Sequence, residues 1–198
     1  PRLTIMSPSN APELSAMMIY ALEKCNGPVF IRYPRGCVPE WEHEDLVNKK
    51  HHEIKDNSSR LIFSNNAEKE HITIFGLGYS AYTCLEAVKQ LCESDPKLPI
   101  KVYDPRFIKP IDTETLKKEL KSSMGIITVE ENCLGGGYGS AVLETICDEF
   151  GCVNVPFKRI GIRDHFVEHA AQNILRTEEN IDVDSVKSAI LDMLREHY

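Results

Sequence analysis

Two rhythms of apolar and polar positions alternate along the chain. Leu3-Thr4-Ile5-Met6 is a short apolar run that stops at Pro8, as a strand does where proline removes the next ladder donor. Ser9 or Asn10 is placed to cap a helix with Pro12 in its first turn, where a missing N–H costs nothing. Leu14, Met17, Met18, Ala21 and Leu22 then follow the i, i+3, i+4 spacing of one buried face. Asn26-Gly27-Pro28 ends that helix, and Val29-Phe30-Ile31-Arg32-Tyr33 reads as a second strand. Residues 1–36 therefore predict a β-α-β unit, too small to bury a core unaided.

From Gly36 to Ser59 the rhythm is lost in a polar stretch with Pro39, Asn48 to His52 and Asp56 to Ser59. It reads as a linker or surface crossing whose one candidate strand is His52-Glu53-Ile54. Beyond Arg60 the strand pattern returns at Leu61–Phe63, Ile72–Phe75, Ile100–Tyr103, Ile126–Val129 and Val153–Ile162. Helical stripes lie between and after these runs. The first carries Ala81, Cys84, Leu85, Val88, Leu91 and Cys92. Leu116 and Leu120 follow an Asp112 cap, and Val142, Leu143, Ile146 and Phe150 follow the glycines. Val183, Val186, Ala189, Ile190, Met193 and Leu194 mark the last. This alternation predicts an α/β fold: a three-layer α/β/α arrangement around a mostly parallel sheet.

The densest signal is Ile126 to Glu144, a β-branched strand running into Gly135-Gly136-Gly137-Tyr138-Gly139 and then a helix. Glycine permits close backbone approach, so the turn suits either tight packing or an anion at the helix N-terminus. The spacing matches neither the dinucleotide fingerprint nor a P-loop, and we read it as a packing turn. Glu130 and Glu131 precede it. As neighbours in a strand they face opposite sides and cannot share a substrate, so they read as contacts to the glycine turn or to the preceding domain.

Composition narrows the classes. Net charge is −7 and the basic runs stop at pairs such as Lys49-Lys50, which argues against nucleic acid. No apolar run approaches the length of a membrane span. Seven cysteines without a Cys-x-x-Cys pair point to neither zinc nor a disulfide framework, and suit a reducing compartment. His165 and His169 would share a helix face if that stretch were helical, but further ligands are absent. His51-His52 are adjacent, so no metal site is expected.

Three segments in order carry a resemblance. They are Val29 to Gly36 with Tyr33-Pro34-Arg35-Gly36, Asp104-Pro105-Arg106-Phe107-Ile108-Lys109-Pro110-Ile111-Asp112, and Thr128 to Glu144 followed by Ile160 to His169. Together they resemble the C-terminal part of the 1-deoxy-D-xylulose-5-phosphate synthase family, thiamine-diphosphate enzymes of the transketolase superfamily. Cys37 and Ala170 depart from the family's usual residues. The resemblance implies that residues 1–45 are the tail of the pyrimidine-binding domain, 46–59 a linker, and 60–198 the transketolase C-terminal domain. It implies condensation of pyruvate with glyceraldehyde 3-phosphate, using thiamine diphosphate and magnesium, in a homodimer of the bacterial cytoplasm or a plastid. No Gly-Asp-Gly segment for diphosphate and magnesium occurs, and the activating glutamate would lie upstream of Pro1. The 198 residues are therefore expected to hold no cofactor and no catalytic residue, and to be inactive alone.

One residue is carried over by the resemblance. Arg35 matches the family arginine that binds the aldehyde's phosphate. From the residues alone, it sits at the carboxyl end of a strand, after a proline that ends pairing and before a glycine that frees the turn. That position fits an edge arginine in a surface ion pair as well as a phosphate clamp. Asp112 reads as a helix cap, and Arg106 and Lys109 as solvated or interdomain ion-pair partners. Two rival readings remain. A 2-oxo acid dehydrogenase beta subunit or a split transketolase would share the sheet and glycine segment, and a non-catalytic assembly module needs no chemistry at all.

Overall fold

Strand, helix and strand alternate through nearly all of the computed structural model, which describes residues 2–34, 36, 54, 56–68, 70–151 and 154–197, with side chains to residue 195. The first elements are β1 (Thr4–Met6), α1 (Ala11–Glu23) and β2 (Val29–Ile31). Then come β3 (Arg60–Asn65), β4 (His71–Gly76), α2 (Ser80–Ser94), β5 (Ile100–Asp104) and β6 (Phe107–Lys109). The chain continues through α3 (Thr113–Glu119), β7 (Ser123–Cys133), α4 (Tyr138–Phe150), β8 (Phe157–Ile162), α5 (Gln172–Glu178) and α6 (Val183–His197).

The larger sheet has the order β3-β5-β4-β7-β8, parallel except for β3, which runs antiparallel to β5 at one edge. β4 is buried at every residue, as expected for a central strand covered on both faces. On one face Ile72, Ile74, Ile127 and Val129 meet Leu85 and Val88 of α2 and Val186 and Ile190 of α6. On the other, Phe75, Tyr103 and Ile126 meet Leu116 of α3 and Val142 and Ile146 of α4. The α/β/α layering expected from the hydrophobic pattern is present, each buried aliphatic side chain contributing about 1.5–3 kcal/mol.

The β-α-β unit completes itself with borrowed parts. β1 pairs parallel to β2 on one side and antiparallel to β6 on the other. Phe107 of β6 and Ile54 pack against Met6 and Met17 in a third apolar cluster. β6 escaped the sequence reading because three residues ending at Pro110 are too short to show a period. α5 escaped it because none of its residues is buried, so no apolar stripe exists. Of the candidate strand at 52–54, His52 and Glu53 lie outside the described residues, and Ile54 is buried but not in a strand.

α1 corrects one expectation. Asn10 caps it, its side chain accepting from the Glu13 N–H at 2.9 Å. Its buried residues, however, are Glu13, Ala16 and Met17, while Met18 is 54% and Leu22 86% exposed. The apolar spacing pointed at one face. A buried ionic cluster around Glu13 turns a neighbouring face inward instead.

Candidate functional site

Open α/β sheets bind ligands beyond the carboxyl ends of their strands. There, the chain leaving β1 (Ser7), β2 (Arg32, Tyr33, Pro34) and β4 (Leu77, Tyr79) lines a small cleft of about 50 Å³ with Glu131 of β7. Ser7 Oγ donates to the Arg32 carbonyl at 3.0 Å, and Arg32 Nη2 donates to the Glu131 carbonyl. Arg176 of α5 donates from Nε to Glu131 Oε1 at 2.6 Å, with its guanidinium carbon 3.7 Å from the Tyr79 ring centroid. Arg35 itself lies outside the described residues, whereas Pro34 and Gly36 on either side of it are described.

The glycine turn is filled by the protein's own anion. Glu130 points back under α4 and accepts from the Tyr138 N–H and the Gly139 N–H, both at 2.8 Å. A Cβ on Gly137 would fall 2.6 Å from Glu130 Oε2 and 2.3 Å from the Cys133 carbonyl. One on Gly139 would fall 2.4 Å from Thr128 Oγ1. These glycines bring strand, turn and helix into contact, as a packing turn requires. Burial raises the Glu130 carboxyl above its ordinary value, and the two amides and the Arg32 and Arg159 charges pull the other way. Glu130 is the one of the two glutamates that contacts the glycine turn; Glu131 accepts from Arg176 through its carboxylate and from Arg32 through its backbone carbonyl.

Arg106 occupies the junction between the two sheets. Its backbone is in the left-handed region, φ 61°, and its N–H donates to Asp104 Oδ1 at 3.0 Å. Such a conformation costs a non-glycine residue about 1–3 kcal/mol and persists only where surrounding contacts fix it. Here Glu13 does so: Arg106 Nε donates to Glu13 Oε2 at 2.9 Å and Nη2 to Glu13 Oε1 at 2.8 Å. Arg60 Nη1 also donates to Glu13, and Ser9 Oγ donates to Asp104 Oδ2 at 2.5 Å. Burial and the nearby Glu13 charge push the Asp104 carboxyl up to about 7 against the pull of Ser9 and Arg106. Arg106 is thus an ion-pair partner joining α1 to the turn between β5 and β6, while Lys109 is exposed. Asp112 caps α3, accepting from the Thr115 N–H at 3.0 Å and the Ser59 N–H at 2.6 Å.

A second buried polar cluster centres on Glu119, which has no exposed side-chain surface. It accepts from His71 Nε2 at 2.6 Å, Tyr103 Oη at 2.7 Å and Lys101 Nζ at 3.1 Å. Burial alone would raise this carboxyl, but the donors outweigh burial and hold it at about 2. The His71 and Glu119 side chains are fully enclosed, and the cluster ties α3 to β4 and β5. His165 and His169 do not share a helix. Their segment is irregular, and His165 Nε2 lies 2.8 Å from Glu179 Oε1.

The described residues do not fit a thiamine diphosphate–magnesium group. The glycine turn is occupied by Glu130, and no cluster of three or more His, Cys, Asp or Glu side chains could hold a metal ion among the described residues. A larger cleft of about 420 Å³ lies at the opposite end of β1, bounded by Arg2, Tyr20, Lys24 and Phe107. Among the described residues no helix is long and apolar enough to cross a membrane.

Residues 64–186 match the family "Transketolase, C-terminal domain", and the chain belongs to it. Over 192 residues it is 35% identical to a 1-deoxy-D-xylulose-5-phosphate synthase of Geobacter sulfurreducens, covering 96% of this chain and 28% of that protein. It is also 35% identical to the synthase of Cytophaga hutchinsonii, covering 98% of this chain and 29% of that one. A solved split-gene transketolase, described as an inactive β4 tetramer, superposes with a TM-score of 0.81 at 27% identity. The match covers 98% of this chain and 59% of that chain. The chain spans less than a third of the length of these synthases.

Proposed function

We propose that these residues are the C-terminal part of a thiamine-diphosphate-dependent transferase of the transketolase type. In our reading that enzyme is a 1-deoxy-D-xylulose-5-phosphate synthase. Pyruvate loses its carboxyl group as carbon dioxide, and the remaining two-carbon unit bonds to the aldehyde carbon of glyceraldehyde 3-phosphate. The product enters isoprenoid precursor synthesis. Bound thiamine diphosphate supplies the carbanion chemistry. It is held by residues outside this set, with magnesium, so no step is routed here through the described side chains. The enzyme is read as a homodimer of the bacterial cytoplasm, or of a plastid in a eukaryote.

This part of the chain contributes recognition of the aldehyde's phosphate by Arg35. The observation that carries the reading is the placement of Tyr33 and Pro34 at the carboxyl end of β2, against Glu131 and Tyr79. A guanidinium leaving that point can grip a phosphate with two parallel hydrogen bonds, which an ammonium cannot. In the complete enzyme Arg35→Ala is expected to lower kcat/KM for glyceraldehyde 3-phosphate roughly ten- to a hundredfold while sparing pyruvate. That is the loss of about 1.5–3 kcal/mol of charge-assisted contact. Arg35→Lys should recover only part. Equal losses for both substrates, or a fall in melting temperature alone, would overturn the assignment.

The likeness to the split-gene transketolase favours a second reading, in which the chain is one subunit of a two-chain transketolase. Turnover of a ketose phosphate donor in place of pyruvate, by the chain with its partner, would select it.

A further inference from the structure

α1 buries an acid beside its apolar anchors: its buried residues are Ala16, Met17 and Glu13, whose side chain has no exposed surface. Two carboxylates and two guanidiniums meet there, and they are shared unequally. Glu13 takes Arg106 through Nε and Nη2, and Arg60 through Nη1. Asp104, equally enclosed, accepts instead from the Ser9 hydroxyl at 2.5 Å and the Arg106 N–H at 3.0 Å. Arg60 keeps a second amino group, Nη2, that is buried with no hydrogen-bond partner among the described residues. It also stands directly opposite Asp104 in the antiparallel β3–β5 pair, and directly opposite residues carry their side chains on the same face of a sheet. A second partner for Arg60 is therefore at hand on its own sheet.

We propose that Ser9, Glu13, Arg60, Asp104 and Arg106 form a proton-operated latch that seats α1 on the larger sheet. With a proton on Asp104, Arg60 serves Glu13 and both arginines hold α1. When that proton passes to solvent, the enclosed carboxylate draws Arg60 across the strand pair, Glu13 keeps Arg106 alone, and α1 loosens. The direction follows from charge: an enclosed carboxylate is costly until a cation pairs with it, and Arg60 is the guanidinium with an unused donor. Burial and the Glu13 charge keep the proton on Asp104 up to about pH 7, against the pull of Ser9 and Arg106. From α4, Tyr138 also feels the Asp104 charge, and burial keeps its hydroxyl protonated well beyond that range. Two arrangements of one packed cluster make a bistable element that a single charge can bias. Because β2 follows α1, the latch reaches the cleft lined by Arg32 and Tyr33. It is independent of the catalytic reading above.

The test is hydrogen–deuterium exchange of the complete enzyme from pH 5 to pH 8, corrected for the intrinsic rate and referred to α2. Amides of Ala11–Glu23 should open about tenfold more at pH 7 than at pH 5 and level off above, since one proton allows at most about tenfold per pH unit. Asp104→Asn, with no proton to lose, should keep the low exchange of pH 5 throughout. Exchange of α1 that does not vary with pH in the wild type, or that varies as much in Asp104→Asn, overturns the latch. If Asp104→Asn yields no folded enzyme, Ser9→Ala removes the hydroxyl that favours the ionised carboxylate, so the levelling point must move to higher pH. An unmoved levelling point overturns the proposal. Crystal structures of the enzyme at pH 5.5 and pH 8.5 read the exchange of partners directly. Arg60 is expected on Glu13 in the first and within hydrogen-bond distance of Asp104 in the second; Arg60 on Glu13 alone at both values overturns it.

Discussion

Replacing Glu119 should remove acid-sensitive stability of known sign and size. Its carboxylate is fully enclosed and serves donors from His71, Tyr103 and Lys101, on two strands of the larger sheet. Those donors hold its carboxyl at about 2, against an ordinary value of 4.5. A group depressed in this way stabilises the fold fully above its unfolded value, and the contribution is lost as pH falls from 4.5 towards 2. A difference of about two and a half pH units corresponds to roughly 3 kcal/mol. Removing one partner of a buried charged set costs a comparable ~3–5 kcal/mol. Glu119→Ala should therefore lower the melting temperature at pH 7 by about 6–20 °C for a chain of this size. Glu119→Gln, which keeps one acceptor oxygen, should cost less. The assay is urea unfolding of wild type and Glu119→Gln at steps from pH 7 to pH 2.5. The gap between them should be widest above pH 4.5 and narrow below it. Parallel curves across the range would refute the assignment of this carboxylate as the group that carries the acid limb.

Asp104 should act with the opposite sign. Its carboxyl is raised from 3.8 to about 7, so wild-type stability should fall as pH climbs through that window, and Asp104→Asn should flatten it; a stability curve unchanged by the substitution would count against the cluster. Gly139→Ala should lower stability by about 1–3 kcal/mol in a melting experiment, because the new methyl would meet Thr128 Oγ1 at 2.4 Å, and a neutral result would deny the packing role of the turn. The 198-residue polypeptide by itself should show no saturable binding of thiamine diphosphate with Mg²⁺ in calorimetry, and micromolar binding would contradict the misfit of its glycine turn.

Much of the fold was legible because it follows from periodicity. β4, α2 and α6 carry apolar residues at the spacing their geometry demands, and burial on both faces of a parallel sheet makes that spacing unmistakable. The caps at Asn10 and Asp112, and the packing character of the glycine turn, were likewise readable, since each depends on residues a few positions apart. Recognition of the family came from the order of three motifs.

What the tertiary structure alone decided involves residues far apart in the chain. No spacing rule links Glu13 to Arg106, yet their pairing chooses which face of α1 is buried and exposes Met18 and Leu22. β6 exists because β1 offers it an edge, and α5 because Glu131 and Tyr79 hold Arg176. Glu130 proved to be the anion of the α4 N-terminus only once the strand was seen to end beneath it. The physical reason is common to all four. Hydrophobic burial is periodic and leaves its mark in sequence, whereas a buried charge or a short polar-seated element is stable only against one particular partner, which folding must first bring there.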